Sequence, residues 1–312
     1  MENNVFIVDI PQCLDCTTVV PVIAQISRYI EAVHPKRLVI NFADTKFVQP
    51  GGLTPLLTLL MEIPNKSQYF NALIVPSMSE KIDLYISRMG FYTLLGVKND
   101  YPYYKHESRG RFQELYSFSQ TTDINDIART SENIIHMFLK DKTLENYNKA
   151  IGWSIFETID NACNHAESDI NVVFAQKFEQ KGITEFSVCD RGLGIRDTMG
   201  EITIEEALRK CITKAKGKKS TGMGNGLYFT SELIKQDTSK KCFMNIWSED
   251  AVLTVKSGCQ PEIKKTEAFW RGVAITISMY NNLSTNLTVL KGGNDVFSYE
   301  ENPDYYNQLF EN

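Results

Sequence analysis

Four acidic or carboxamide side chains share one side of the helical segment AIGWSIFETIDNACNHA (150–166). They are Glu157, Asp160, Asn161 and Asn164, at positions i, i+3, i+4 and i+7. Ile151, Ile155, Ile159, Ala162 and Cys163 fall on the opposite side and belong in a core. The stripe holds no Lys or Arg, unlike an ordinary solvated face. A carboxylate one turn from a carboxamide can hold a water and an oxygen-seeking cation together. A second segment, VCDRGLGI, ends an apolar run on Asp190 and follows it with Gly192 and Gly194. That sets an acid at a strand end and lets the next backbone approach a ligand closely. A third, KAKGKKSTGMGNGLYFTSELI, places Thr221, Gly222, Gly224 and Gly226 directly before a helix whose first amides would face an anion. Lys214, Lys216, Lys218 and Lys219 precede them, as a mobile lid over a phosphate would require. Taken singly, a solvated helix face is the better explanation of the first segment, and a tight turn and a surface loop suffice for the other two.

The elements that position them follow from periodicity. Residues 123–140 and 143–166 read as helices, and NVVFAQKF and TEFSVCD as strands joined by a turn at 180–182. Helices near 204–215 and 225–236 come next, and then the strands CFMNIWS, AVLTVKS and GVAITISMY. The first hundred residues alternate strand and helix: VFIVDI, an amphipathic helix over 17–33, KRLVINFAD, a turn at 50–52 before LTPLLTLLMEI, FNALIVP, and a helix capped by Ser79. Such alternation predicts an α/β domain over 1–100. Residues 101–124 read as a linker, 125–282 as a second α/β domain, and 283–312 as an acidic extension.

Composition narrows the function. The chain has 312 residues, 43% hydrophobic and 23% charged, the balance of a globular protein with room for two domains. A net charge of −5 argues against a nucleic-acid partner, which would normally show as a basic excess. No apolar run is long enough to span a bilayer, and MENNVFIVDI lacks a basic leader, so a cytoplasmic location is expected. Seven scattered cysteines include a single CxxC, Cys13 and Cys16, read as free thiols at the start of an element.

Order and spacing then link the three segments. ExxDN on a helix, DxGxG about thirty residues later and GxGxG about thirty after that resemble the N, G1 and G2 boxes of the GHKL ATPase superfamily. This superfamily comprises gyrase-type topoisomerases, heat-shock chaperones, mismatch-repair ATPases, histidine kinases and anti-sigma-factor serine kinases. A Walker motif is absent, and the glycines do not open a first βα turn as in a Rossmann fold. The resemblance covers about 125–280 and implies a sandwich of a mixed sheet layered with helices. It implies ATP and Mg²⁺ as cofactors, with Asn161 on the metal and Asp190 on the adenine amino group. Gly192 and Gly194 would lie near the base. Thr221, Gly222, Gly224, Gly226 and Lys219 would serve the phosphates through a lid over 213–224 that orders with nucleotide. Glu157 stands where relatives keep an acid that orients or activates the nucleophile. Val273 replaces the Thr that many members place after the Gly of the closing strand.

The first hundred residues resemble a STAS domain, the fold of anti-sigma-factor antagonists, through their layout and the segment Phe47 to Leu53 (F-x-x-x-G-L). Where regulated antagonists carry a phosphorylatable serine, this chain reads Gln49-Pro50-Gly51-Gly52, and Thr54 lies just inside the helix. Self-phosphorylation at that turn is therefore not expected. His136 does not stand in the setting of a phosphoacceptor, which disfavours a sensor histidine kinase. The leading expectation is a bacterial-type regulatory protein that binds and slowly hydrolyses Mg·ATP to gate a protein partner. A serine/threonine kinase acting on a separate protein, and a non-catalytic ATP-binding module, stand as alternatives. The oligomeric state, a homodimer included, stays open.

Overall fold

The computed structural model describes residues 5–31, 37–66, 73–97, 110–140, 145–164, 166–214 and 225–281. It is a mixed α/β protein. In its N-terminal half, β1 (Val5–Asp9), β3 (Arg37–Asn41) and β5 (Leu73–Val75) form a parallel sheet in the order β1-β3-β5, beside a small parallel pair of β2 (Cys13–Leu14) and β4 (Phe47–Val48). Helix α1 (Val19–Glu31) follows an Asp15 carboxylate that accepts from the Thr17 and Thr18 amides, and it buries Val22, Ile23 and Ile26 on one side. Helix α2 (Pro50–Lys66) begins three residues before the expected start. Pro50 occupies its first position, where a missing N–H costs nothing and φ is already helical. The region after Ser79 is two helices, α3 (Glu80–Arg88) and α4 (Phe91–Leu94), divided at Gly90, whose φ is +88°. Ser79 holds the cap position of α3, but its side chain makes no capping bond.

The C-terminal half contains β6 (Phe112–Phe118), α5 (Ile124–Phe138), α6 (Glu145–Asn164), β7 (Asn171–Phe178), β8 (Ile183–Asp190), α7 (Ile195–Met199), α8 (Ile204–Cys211), α9 (Gly226–Gln236), β9 (Phe243–Lys256) and β10 (Glu262–Tyr280). Strand β6 lies within the segment read as a linker and pairs with β7. The sheet order is β6-β7-β8-β10-β9. Every pairing in it is antiparallel, so the mixed sheet expected for this half is corrected. The reason lies in the connections. Strands β8 and β9 run the same way across the α7–α9 crossover, but β10 returns from β9 and inserts between them. The stretches CFMNIWS and AVLTVKS, expected as two strands, are the single strand β9.

The sheet is covered on both faces, and alternation along each strand assigns its residues. Val173, Phe186, Val188 and Ile275 pack with α5, α6, α8 and α9. Val172, Phe174, Cys189, Trp247 and Trp270 share one core with α1 and α2, including Leu53, Leu56 and Leu57. The two halves therefore have a hydrophobic core in common. The start of α2 sits directly on the sheet. A Cβ on Gly51 would come within 2.8 Å of the Cys16 Cβ and the Thr276 Cγ2, and one on Gly52 within 2.6 Å of the Leu14 carbonyl carbon. Thr54 is fully buried beneath them.

A carboxylate lies in this junction. Glu185, on β8, is 1% exposed and accepts from the Gly51 amide at 2.9 Å, at the positive end of α2. Burial pushes its carboxyl up from 4.5 to about 7, with Asp15 adding to the rise and the Gly51 amide opposing it. A raised carboxyl stabilises the fold below the unfolded value and loses that contribution as pH climbs to the folded one. Wild-type stability should thus fall through this group by about 3 kcal/mol between pH 4.5 and 7. Glu185→Gln keeps an acceptor for Gly51 and should remove that share of the slope, leaving the variant the more stable protein at pH 7. Denaturant unfolding at several pH values measures it, and parallel wild-type and variant slopes would remove Glu185 from the account.

Candidate functional site

Helix α6 is built as its apolar spacing predicts, with Ile151, Ile155 and Ile159 buried against the sheet. Its polar stripe is not one surface, however. Asn161 and Asn164 are exposed, and Asn164 donates to Asp160 at 2.7 Å. Glu157 is 8% exposed and faces inward, which corrects its expected place on a wholly outward stripe. Its carboxylate Oε2 accepts from the Gly226 amide at 2.6 Å, at the first position of α9. The missing side chain at Gly226 makes this approach feasible: a Cβ there would stand 2.7 Å from the same oxygen. Helices α6 and α9 are further joined by a buried hydroxyl pair, Ser154 and Thr230.

Asp190 ends β8 on the same face of the sheet as Val188 and Phe186, two and four residues before it. It is 4% exposed. Its Oδ1 accepts from the Gly192 amide at 3.0 Å and from the Val273 amide at 3.3 Å. Burial pushes the carboxyl up to about 7, against those two bonds and the charge of Arg191. Gly272, at φ +90°, brings the β10 backbone so close that a Cβ would collide with Asp190. At Gly192 a Cβ would lie on the Ala166 carbonyl, just past the end of α6. That carbonyl accepts from the Leu193 amide at 2.6 Å, which ties the turn to the helix. Beyond it, Gly194 faces Ser248, whose hydroxyl accepts from Ile195 and donates to the Gly272 carbonyl.

Two of the three sequence segments thus meet through α6. Glu157 touches the start of α9, and the residues after the helix touch the turn after Asp190. Asn161 is exposed one turn further along, and its side chain makes no hydrogen bond among the described residues. Lys219, Thr221, Gly222 and Gly224, and most of the expected lid, lie outside the described residues. Sequence reasoning did not single out Gly272, Ser248 or Trp270 for this neighbourhood. The glycine before Val273 was the available signal, since its positive φ is what admits the Asp190 carboxylate.

The arrangement has two chemical capacities. A buried carboxylate fixed by backbone amides can accept a hydrogen bond from a planar donor, and its burial strengthens that bond. The N-terminus of α9, already holding one anionic oxygen, can receive another. Among the described residues no group of three or more His, Cys, Asp or Glu side chains gathers as a metal cage. Magnesium held through one side chain and phosphate oxygens does not need such a cage. No family model, curated protein or solved structure matches the chain.

Proposed function

We propose that the chain is a GHKL-type nucleotide-binding protein, fused to a STAS-like half, that uses Mg·ATP to control a protein partner. The observation carrying this reading is the contact between Glu157 and the Gly226 amide. It brings an acid of the first motif onto the glycine that opens the helix of the third, 69 residues away, as a phosphate site shared by both would require. Asp190 would receive the adenine amino group. Asn161, exposed on α6 one turn after Glu157, would hold Mg²⁺, whose role is to neutralise and orient the phosphates. Glu157 would take a proton from a nucleophile at the terminal phosphate. Fully buried Thr54 supports the expectation that the chain does not modify its own α2 turn. No described helix is long and apolar enough to cross a membrane, in keeping with a cytoplasmic role.

Asp190→Asn tests the reading. Removing the negative acceptor should weaken ATP binding by roughly 10–100-fold, the range set by about 1.5–3 kcal/mol for a hydrogen bond to a charged group. Calorimetry with Mg·ATP on the full chain is the measurement. A folded variant with wild-type affinity would take Asp190 out of the site, and a wild type that binds no ATP would refute the function itself.

A further inference from the structure

The residue after Asp190 reaches into the other half of the chain. Arg191 sends its guanidinium to Glu62 on α2, with Nε and Nη2 each 2.9 Å from the same carboxylate oxygen. Both side chains are 11% exposed. The guanidinium also lies over the Trp270 ring, 4.8 Å from its centroid. Trp270 is fully buried, and its Nε1 donates to the Asp190 carbonyl at 3.1 Å. On the other side the Arg191 amide donates to Ser168 at 3.3 Å, in the segment after α6. Asp190 is therefore gripped at its own carbonyl and at the next amide, and the Arg191 side chain locks that grip to α2.

We infer that Glu62, in the N-terminal half, is a positioning residue for base recognition, acting through Arg191 and Trp270 on the backbone that carries Asp190. This rests on the nucleotide reading above. The guanidinium is planar and rigid, so a carboxylate that accepts from its Nε–H and pairs with the charge at Nη2 fixes direction as well as distance. Adenine presents an amino donor where guanine presents a carbonyl acceptor, so a well-aimed carboxylate prefers the first and repels the second. Loosening the aim should cost selectivity as well as affinity. The same linkage makes the docking of α2 an input to the site, because a partner that shifts α2 shifts Asp190.

The test is calorimetric titration of the full chain with Mg·ATP and Mg·GTP. Glu62→Gln should lower ATP affinity and narrow the ATP-over-GTP preference, each by about tenfold, the ordinary size of coupling between two sites. A purely structural ion pair would alter thermal stability and leave the preference alone. Because a buried cation left unpaired can itself unfold the protein, the double variant Glu62→Gln/Arg191→Met is measured alongside. It should regain thermal stability without regaining the preference. Wild-type affinity and preference in either folded variant overturn the inference while leaving ATP binding in place. A wild type that binds neither nucleotide overturns it together with the function it rests on.

Discussion

Replacing Glu157 by Gln should slow nucleotide turnover by about 10²–10⁴-fold, the usual contribution of a positioned general base, while ATP affinity stays within a few-fold of wild type. The structure explains why the two effects separate. The Glu157 oxygen on the Gly226 amide is an acceptor, and a glutamine carbonyl accepts equally well, so the start of α9 keeps its partner. What glutamine cannot do is take a proton. Single-turnover phosphate release, read beside calorimetric binding, distinguishes the outcomes. Equal loss of binding and turnover would mean that Glu157 serves the architecture alone, unchanged turnover would take Glu157 out of the chemistry, and a wild type that binds ATP without releasing phosphate would be a pure binding module.

Gly192→Ala should have the largest effect on the fold of the site. The added Cβ would fall on the Ala166 carbonyl, a backbone group that cannot swing aside as a side-chain end could. Overpacking typically costs about 1–3 kcal/mol and more where backbone must shift, so a loss near or above the upper figure is expected. The displaced turn would also carry off the Gly192 amide from Asp190 and the Leu193 amide from Ala166. ATP affinity should fall with stability, by at least about tenfold. Denaturant unfolding and calorimetry on one preparation check both, and a variant as stable as wild type would show that the turn is looser than described. Gly200→Ala serves as the contrast: nothing lies within 4 Å of its Cβ position, so only its φ of +64° should register.

Much of this was legible where the determinants are local. The apolar repeat of α6, the hairpin between β7 and β8, and the start of α9 follow from periodicity and punctuation within a dozen residues. Strand β9 was not legible as one piece, because Ser248-Glu249-Asp250 reads as a break. The chain instead passes through an irregularity there, with Glu249 at φ +52° and a register shift opposite Trp270. The start of α2 was misplaced because Pro50 and two glycines read as a turn, when proline is well suited to a first helical position and the glycines are required by Cys16, Thr276 and Leu14. The burial of Glu157 was hidden because a carboxylate on a helix is ordinarily assigned to water, and the partner that draws it inward is far along the chain. Glu62 and Arg191, 129 residues apart, offered no local signal at all.

The common core also bears on biosynthesis. Helices α1 and α2 are covered by Val172, Phe174, Trp247 and Trp270, all supplied by strands in the second half of the chain. At about 5–20 residues per second, translation from the end of α2 to the end of β10 takes roughly 10–40 s. For that interval the N-terminal half emerges from the ribosome with the apolar side of two helices uncovered, far longer than the microseconds in which a hydrophobic surface collapses on whatever is nearest. Nascent chains halted before β7 should accordingly recruit ribosome-associated chaperones, and those halted beyond β10 should release them.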